Sequence, residues 1–154
     1  MIFQHTLTNI LLQNKTQTRR IIKPDETVIR GRYNKVEAVL KNNRTKWIVG
    51  NTYAVQPGRG KSEVARILIT KINSEHILRI STTSALNEGF YSRQDFLKTW
   101  KEIHGDDAFN LRVWVLTFEL IGYTNINELI KFPDYPKIFD YASKRFDYSR
   151  ASVS

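Results

Sequence analysis

The residues of this chain best suited to chemistry stand close together near its start. Positions 14–20 read Asn-Lys-Thr-Gln-Thr-Arg-Arg, a run with three cations, two hydroxyls and no acid. Such a run can hold an anionic or strongly polar ligand, because cations attract negative charge and hydroxyls both donate and accept hydrogen bonds. Its candidate ligand-contacting residues are Lys15, Thr16, Thr18, Arg19 and Arg20.

One carboxylate from a distant part of the chain is grouped with this run. Lys15, Thr18, Arg20 and Glu88 together offer an amine, a hydroxyl, a guanidinium and a carboxylate, which can move protons and orient a polar ligand. The alternative is that Glu88 pairs locally and the cations are solvated. The grouping therefore requires that Lys15 and Glu88 meet at one cleft.

The excess positive charge of the chain is confined to its first two-fifths. Residues 1–61 hold 12 Lys or Arg and 3 Asp or Glu, a balance of +9, whereas residues 62–154 hold 12 of each. A local excess favours a surface that faces a polyanion, most often nucleic acid. The alternative is a basic protein kept soluble by its charge.

Cations and one aromatic residue of this basic part are the candidate nucleic-acid contacts. Tyr33 is expected to stack on an unpaired base, because unpaired bases stack on aromatic rings. Trp47 and Tyr53 are instead expected in the core. The candidate phosphate contacts are Arg19, Arg20, Arg30, Arg32, Lys35, Lys41, Arg44, Arg59 and Lys61.

Other familiar chemistry is not indicated. His5, His76 and His104 are scattered and the chain has no cysteine, so we expect no metal, no disulfide and no other cofactor. Gly60-Lys61 resembles the end of a phosphate-binding loop, but Val55 stands where that loop needs glycine. No GxSxG sequence marks a serine hydrolase.

A short helix is expected before the candidate site, and a strand is expected to contain it. Helical spacing predicts a helix over residues 7–12, capped by Thr6 or Thr8 and ending near Asn14. Residues 1–6 could form a first strand. Alternation from position 16 onward predicts a strand whose one face carries Thr16, Thr18 and Arg20.

The middle of the chain is expected to begin with a basic insertion at about 23–46 that carries one short helix. This helix would be capped by the Asn34–Glu37 sequence, and Asn42-Asn43 would end it. Its apolar face would consist of Val36, Val39 and Leu40. Strands are predicted at 45–49, 52–56, 63–72 and 76–81.

Helices are predicted within 84–105, and a central strand at 112–121. Ser92 should cap the second helix and Gly105 should stop it. The expected buried stripe of this helix is Phe96, Leu97, Trp100 and Ile103.

The length suggests a single domain. We assign this domain to the α+β class, as a small mixed or antiparallel β-barrel flanked by short helices. The barrel is assigned to 1–122. Residues 123–154 are assigned to a helical extension that packs on it through Ile138, Phe139, Ala142 and Phe146, with a frayed end at 149–154. Alternatively, a protein partner could bind exposed anchors in this extension, namely Tyr135, Phe139, Tyr141, Phe146 and Tyr148.

No apolar run approaches 18 residues, and the start of the chain lacks a basic region followed by an apolar core. We therefore expect neither a membrane span nor a secretory signal. The absence of cysteine suits a cytoplasmic location.

Several of these pieces resemble the ASCH family, within the PUA-like superfamily of small β-barrels. The family motif GxKxxExR, often GxKTxTxR, is matched by Lys15, Thr16, Thr18 and Arg20, with Gln13 at the position of the motif glycine. Residues 49–55 resemble the family's G-D/N-x-Y-x-V strand, and residues 85–100 resemble its EGF…F…W helix. The pieces occur in the family's order and cover about residues 1–121.

The resemblance implies a five- or six-stranded barrel with a cleft between barrel and helices. It also implies RNA binding, coactivation or RNA processing, while a subset of the family are small amidohydrolases that deacetylate N4-acetylcytidine. By motif position, the catalytic Lys, Thr and Glu of that subset resemble Lys15, Thr18 and Glu88.

We favour binding of RNA or another single-stranded nucleic acid through the basic cleft. The alternatives are an amidohydrolase acting on a modified nucleoside, a ribonuclease and a protein-interaction module. The choice among RNA, DNA and a free nucleoside stays open, as does the oligomeric state.

Overall fold

The computed structural model describes residues 1–3 and 6–146, and the strands in this part form two antiparallel sheets. The larger sheet has the order β1-β7-β6-β5 and curls into a half-barrel, and the second sheet has the order β2-β3-β4. The strands are β1 Gln17–Ile21, β2 Glu26–Arg30, β3 Val36–Lys41, β4 Arg44–Ile48, β5 Thr52–Val55, β6 Ala65–His76 and β7 Arg112–Tyr123.

Short helices flank the sheets, so the α+β class predicted from the sequence is confirmed. As predicted, Ser92 caps α3 by accepting a hydrogen bond from the Asp95 amide, and Gly105 ends it with a φ of 80°. No described helix has the length and apolarity to cross a membrane. The helices are α1 Leu7–Leu11, α2 Thr82–Asn87, α3 Arg93–His104, α4 Ile126–Leu129 and α5 Tyr135–Phe146.

Strand β7 is central, as its alternating apolar sequence predicted. It pairs with β1 on one side and β6 on the other. Trp114, Leu116 and Phe118 are buried on one face, and Val113 and Val115 are buried on the other. A strand buried on both faces fixes the neighbours on each side, so β7 sets the position of β1 and of the candidate site that β1 carries.

Two apolar clusters hold the site region in place. The second sheet packs on the half-barrel where Val39 and Trp47 meet Ile72 and Trp114. Helix α3 packs on the opposite face of β7 through a cluster that includes Trp100. Each buried side chain of this size contributes about 1.5–3 kcal/mol.

Residues 23–46 form the β2-β3-β4 sheet, so the helix predicted there is wrong. Val36 and Val39 belong to strand β3. Asn42 and Asn43, with φ values of 50° and 61°, make the two-residue turn between β3 and β4. Asparagine tolerates this left-handed conformation, which two-residue hairpin turns require, so the Asn-Asn pair joins two strands and does not end a helix.

Two other strand predictions need correction. The predicted strand at 76–81 is wrong, because β6 ends at His76 and a 3₁₀ turn follows at Ile77–Arg79. The His76 side chain caps this turn by accepting a hydrogen bond from the Leu78 amide. At the start of the chain, the described residues show a single bridge between Ile2 and Gln56 in place of a strand over 1–6.

Three side-chain predictions also differ from the structure. Ile103, expected in the buried stripe of α3, is 57% exposed, and Phe139, expected to pack on the barrel, is 54% exposed. Thr6 makes no capping hydrogen bond at α1, while the Thr8 hydroxyl donates to Asp134.

The helical extension contacts the start of the chain. Ile138 is buried in the cluster that includes Ile10 and Leu11 of α1, and the Tyr141 hydroxyl donates a hydrogen bond to the Gln13 side chain. The predicted contacts of Ala142 and Phe146, the anchor Tyr148, and the predicted fraying at 149–154 lie outside the described part.

Candidate functional site

The turn between α1 and β1 presents Lys15. The Asn9 carbonyl accepts hydrogen bonds from the amides of Asn14 (2.8 Å) and Lys15 (3.0 Å), which closes the helix end. Gln13, at the position of the motif glycine, has a φ of 57°. The left-handed conformation of the turn is therefore kept without glycine, and Lys15 is carried to a site where only 4% of it is exposed.

A backbone contact brings the end of α2 to this turn. The Thr16 amide donates to the Asn87 carbonyl at 2.7 Å, which places the next residue, Glu88, beside Lys15. Gly89 follows with a φ of 93°, and a Cβ there would lie 2.8 Å from the Asn9 side-chain nitrogen. Glycine thus permits the close approach of the two segments.

Glu88 is the centre of a buried ion network. Its Oε2 lies 2.6 Å from Lys15 Nζ, which also donates to the Glu88 carbonyl at 3.2 Å. Its Oε1 lies 3.0 Å from Arg19 Nη1. Arg19 also binds Glu75 at 2.8 Å, so one guanidinium bridges two carboxylates. The structure thus brings together Lys15 and Glu88, which stand 73 positions apart.

The environment of Lys15 disfavours its charged form. Burial lowers the pKa of Lys15, the Glu88 carboxylate opposes this shift, and the positive charges of Arg20 and Arg19 add to the lowering. A lysine in such a site gives up its proton more readily than an exposed lysine, which is a requirement for a base or nucleophile.

Thr18 and Arg20 lie beside this network. Thr18 is buried. Arg20 donates to the Ile2 carbonyl at 3.1 Å and lies 5.4 Å from the centre of the Phe3 ring. Burial lowers the pKa of Arg20, with the Glu88 carboxylate acting in the opposite direction. In the described residues, Arg20 Nε is a buried donor without an acceptor.

These side chains open onto a cavity of about 920 Å³. Five cations and one carboxylate line it, and its aromatic walls come from α3, from strand β4 of the second sheet and from segments outside the strands. The cations are Lys15, Arg19, Arg20, Lys23 and Lys46, the carboxylate is Glu88, and the aromatic residues are Phe3, Trp47, Phe90, Phe96 and Trp100.

Several predicted contact residues lie away from this cavity. Arg32, Arg59 and Lys61 are exposed elsewhere, and Tyr33 is 84% exposed in the loop between β2 and β3. Arg44 lines a second cavity at the tip of the β3-β4 hairpin.

Two predicted residues, Thr16 just before β1 and Arg19 within it, have roles other than those expected. Thr16 bonds through its backbone to Asn87 and Phe118. Arg19, predicted as a phosphate contact, is buried in its two ion pairs.

Sequence reasoning missed Glu75, Lys46 and Lys23. Glu75 joins the network only because β6 and β1 flank the same strand, and nothing in its local sequence marks it. Lys46 reaches the cavity from the second sheet, which the sequence analysis did not predict. In the described residues, no three His, Asp or Glu side chains converge as a metal site would require.

The half-barrel, its flanking helices and the cleft between them define a small α+β protein with a cationic pocket. Among solved structures, protein EF3133 from Enterococcus faecalis, described under family model DUF984, aligns with a TM-score of 0.53 at 14% identity, covering 79% of this chain and 73% of that one. This comparison shows that the two chains share a fold.

ASCH proteins, the family that the sequence resembles, are among the other matches. The ASCH domain from Lactobacillus crispatus aligns with a TM-score of 0.48 at 17% identity, over 75% of this chain and 70% of that one. A mutant of ZmASCH from Zymomonas mobilis gives 0.48 at 13% identity, over 84% and 74%. Neither a family model nor a curated protein matches the sequence.

Proposed function

We propose that this chain binds single-stranded nucleic acid, foremost RNA, by taking one unpaired nucleotide into the main cavity. The observation that carries the proposal is the pairing of five cations with aromatic walls in one space of about 920 Å³. Ligand pockets typically measure 300–1,000 Å³, so a nucleotide fits. Arg20 and Lys23 make no ion pair within the described part of the chain, so their charges suit a ligand that carries negative charge.

Each part of the cavity has a counterpart in a nucleotide. Aromatic walls offer stacking surfaces, worth about 1–3 kcal/mol per base. Thr18 and Arg20 offer a hydroxyl and a guanidinium to a base edge or a phosphate. Lys23 and Lys46 supply two further cations for the phosphate on the 3′ or 5′ side. The aromatic rings favour an unpaired base over a duplex.

Fluorescence anisotropy with a labelled single-stranded RNA, titrated across salt concentrations, tests the proposal. If six cations contact phosphates, the log–log slope of affinity against salt is about −4. Arg20→Gln should weaken binding about 10- to 150-fold, because a charged hydrogen bond is worth roughly 1.5–3 kcal/mol. Arg79→Gln is the matched control, since Arg79 is exposed outside the cavity. A salt-independent affinity, or no binding at low salt, would contradict the proposal.

A second function is favoured by one observation, the buried contact of 2.6 Å between Lys15 and Glu88. A neutral Lys15 could remove a proton from water as the water attacks the acyl carbon of an acylated nucleoside such as N4-acetylcytidine. Glu88 would relay that proton to the departing amine. The Thr18 hydroxyl would orient the water or donate to the oxyanion.

Release of cytidine from N4-acetylcytidine, followed by chromatography, tests this second function. Lys15→Ala should abolish turnover, and Lys71→Ala, which changes an exposed lysine of β6, should leave it intact. Circular dichroism of both variants separates loss of chemistry from loss of fold. Unchanged turnover in folded Lys15→Ala would eliminate the mechanism, and RNA binding without any turnover would leave the first function alone.

A further inference from the structure

We infer that the tip of the β3-β4 hairpin is a second anion site, which holds a backbone phosphate of the same nucleic-acid strand whose base occupies the main cavity. We call this the hairpin site and define it by Lys41, Arg44 and Lys46. The inference rests on the proposed function and adds the direction in which the strand leaves the cavity.

The hairpin site is a cavity of about 560 Å³ with three cations in its lining. Lys41 and Arg44 face each other across the two-residue turn, since they are paired in register. Backbone φ values of 50° and 61° at Asn42 and Asn43 fix the turn. Two opposed cations on a tight, regular turn form a compact positive surface of the kind that phosphates bind.

Lys46 connects the two cavities, because it lines both of them. A β-bulge explains how one side chain reaches both places. Leu40 pairs with Thr45 and Val39 pairs with Trp47, so Lys46 is an extra residue in β4 without a partner in β3. Bulges of this kind re-aim a side chain and are frequent next to functional sites.

The charge of the hairpin site is only partly neutralised. Glu26 lies 2.5 Å from Lys46, and its carboxylate also accepts hydrogen bonds from the Lys23 amide and the Trp114 ring nitrogen. Within the described part of the chain, Lys41 and Arg44 make no ion pair. The acidic residue beside the turn, Asp25, is exposed and accepts the Asn42 amide through its backbone carbonyl.

The position of the hairpin site beside the main cavity favours a strand over a free nucleotide. A nucleotide in the main cavity has its own phosphate near the cations that line that cavity. A further phosphate at Lys41 and Arg44 requires a chain that continues past Lys46. A strand that continues along the hairpin would bind both cavities at once and would gain affinity from both.

The test compares two double variants in the anisotropy titration, using single-stranded RNA and DNA ten-mers of the same sequence. Lys41→Gln/Arg44→Gln removes two cations from the hairpin site, and Lys98→Gln/Lys137→Gln removes two exposed cations that line neither cavity. Losing two phosphate contacts should make the salt slope shallower by about 1.4. The ratio of wild-type affinity to variant affinity should therefore be about 25-fold larger at 0.1 M salt than at 1 M salt. Arg44→Glu provides a second variant that leaves the rest of the hairpin unchanged.

A shallower slope in the hairpin variants, with the control double variant like the wild type, supports the hairpin site. Equal slopes for the wild type and all variants would overturn the hairpin site and leave the proposed function standing. Absence of binding by the wild-type protein at low salt would instead overturn the proposed function, and the hairpin site with it. Thermal unfolding of each variant confirms that it is folded before the slopes are compared.

Discussion

Replacing Glu88 by glutamine removes the charge at the centre of the buried network while keeping its shape. The wild-type carboxylate contacts Lys15 at 2.6 Å and Arg19 at 3.0 Å, and all three side chains are at least 95% buried. Breaking a buried ion pair by removing one partner typically costs about 3–5 kcal/mol, because the remaining charge is left without compensation.

The expected cost lies near the lower end of that range. In the Glu88→Gln variant, Lys15 can lose its proton, since burial already lowers the pKa of this lysine. Arg19 keeps its second ion partner, Glu75, at 2.8 Å. We therefore expect a loss of about 3 kcal/mol at neutral pH, a large share of the 5–15 kcal/mol that stabilises a typical domain.

Glu75→Gln is the matched control. The Glu75 side chain is 25% exposed and shares Arg19 with Glu88. Because solvent screens a partly exposed pair, this change should cost under about 1 kcal/mol. The Lys15→Met/Glu88→Gln double variant should recover about 1–3 kcal/mol relative to the sum of the single losses, since it removes both members of the pair.

Urea unfolding followed by tryptophan fluorescence measures these differences, because Trp47, Trp100 and Trp114 are all buried in the folded protein. For a chain of this length, a loss of 3 kcal/mol corresponds to a fall in melting temperature of about 6–12 °C. Equal losses for Glu88→Gln and Glu75→Gln, or strict additivity in the double variant, would refute the central role assigned to Glu88.

Three other expectations follow from the same contacts. Because burial lowers the pKa of Lys15 below its ordinary value of 10.5, the unfolded chain binds more protons than the folded protein just below that pH. The unfolding free energy of the wild type should therefore rise with pH toward 10.5 relative to Lys15→Met, as urea titrations at several pH values can measure. Gly89→Ala should cost about 2–3 kcal/mol and Gly60→Ala about 1 kcal/mol in thermal melts, since both have positive φ but only the Gly89 position is crowded; equal losses would contradict this reasoning. Tyr141→Phe should cost about 0.5–1.5 kcal/mol by removing the hydrogen bond to Gln13, with no change in the salt slope of nucleic-acid binding.

The parts of the fold that were predicted correctly are those in which local pattern and tertiary environment agree. Strand β7 alternates cleanly, and both of its faces are buried. Helix α3 carries its start signal in Ser92 and its stop signal in Gly105. Residues 23–46 differ because Val36 and Val39 fit a helical face as well as a strand. The choice is made by pairing with β4 and packing on the half-barrel, which local spacing does not encode.

The candidate site shows the same division between local and long-range information. Lys15 and Glu88 were grouped by residue type and by resemblance, and a single turn and a helix end bring them together. Arg19 meets Glu75 for a different reason, the register of three strands. Arg19 is paired with Val115 of β7, and Val115 is paired with Asn73 of β6.

Glu75 lies two residues beyond Asn73, so it shares the face of the sheet that carries Arg19. Because of this long-range pairing, Arg19, which was predicted to contact a phosphate, is instead buried between two carboxylates. The number of cations in the β1 sequence is therefore larger than the number that a ligand can contact. Because Arg20 of β1 makes no ion pair in the described structure, ligand binding should respond more strongly to Arg20 and to the hairpin cations than to Arg19, whose replacement should chiefly lower stability.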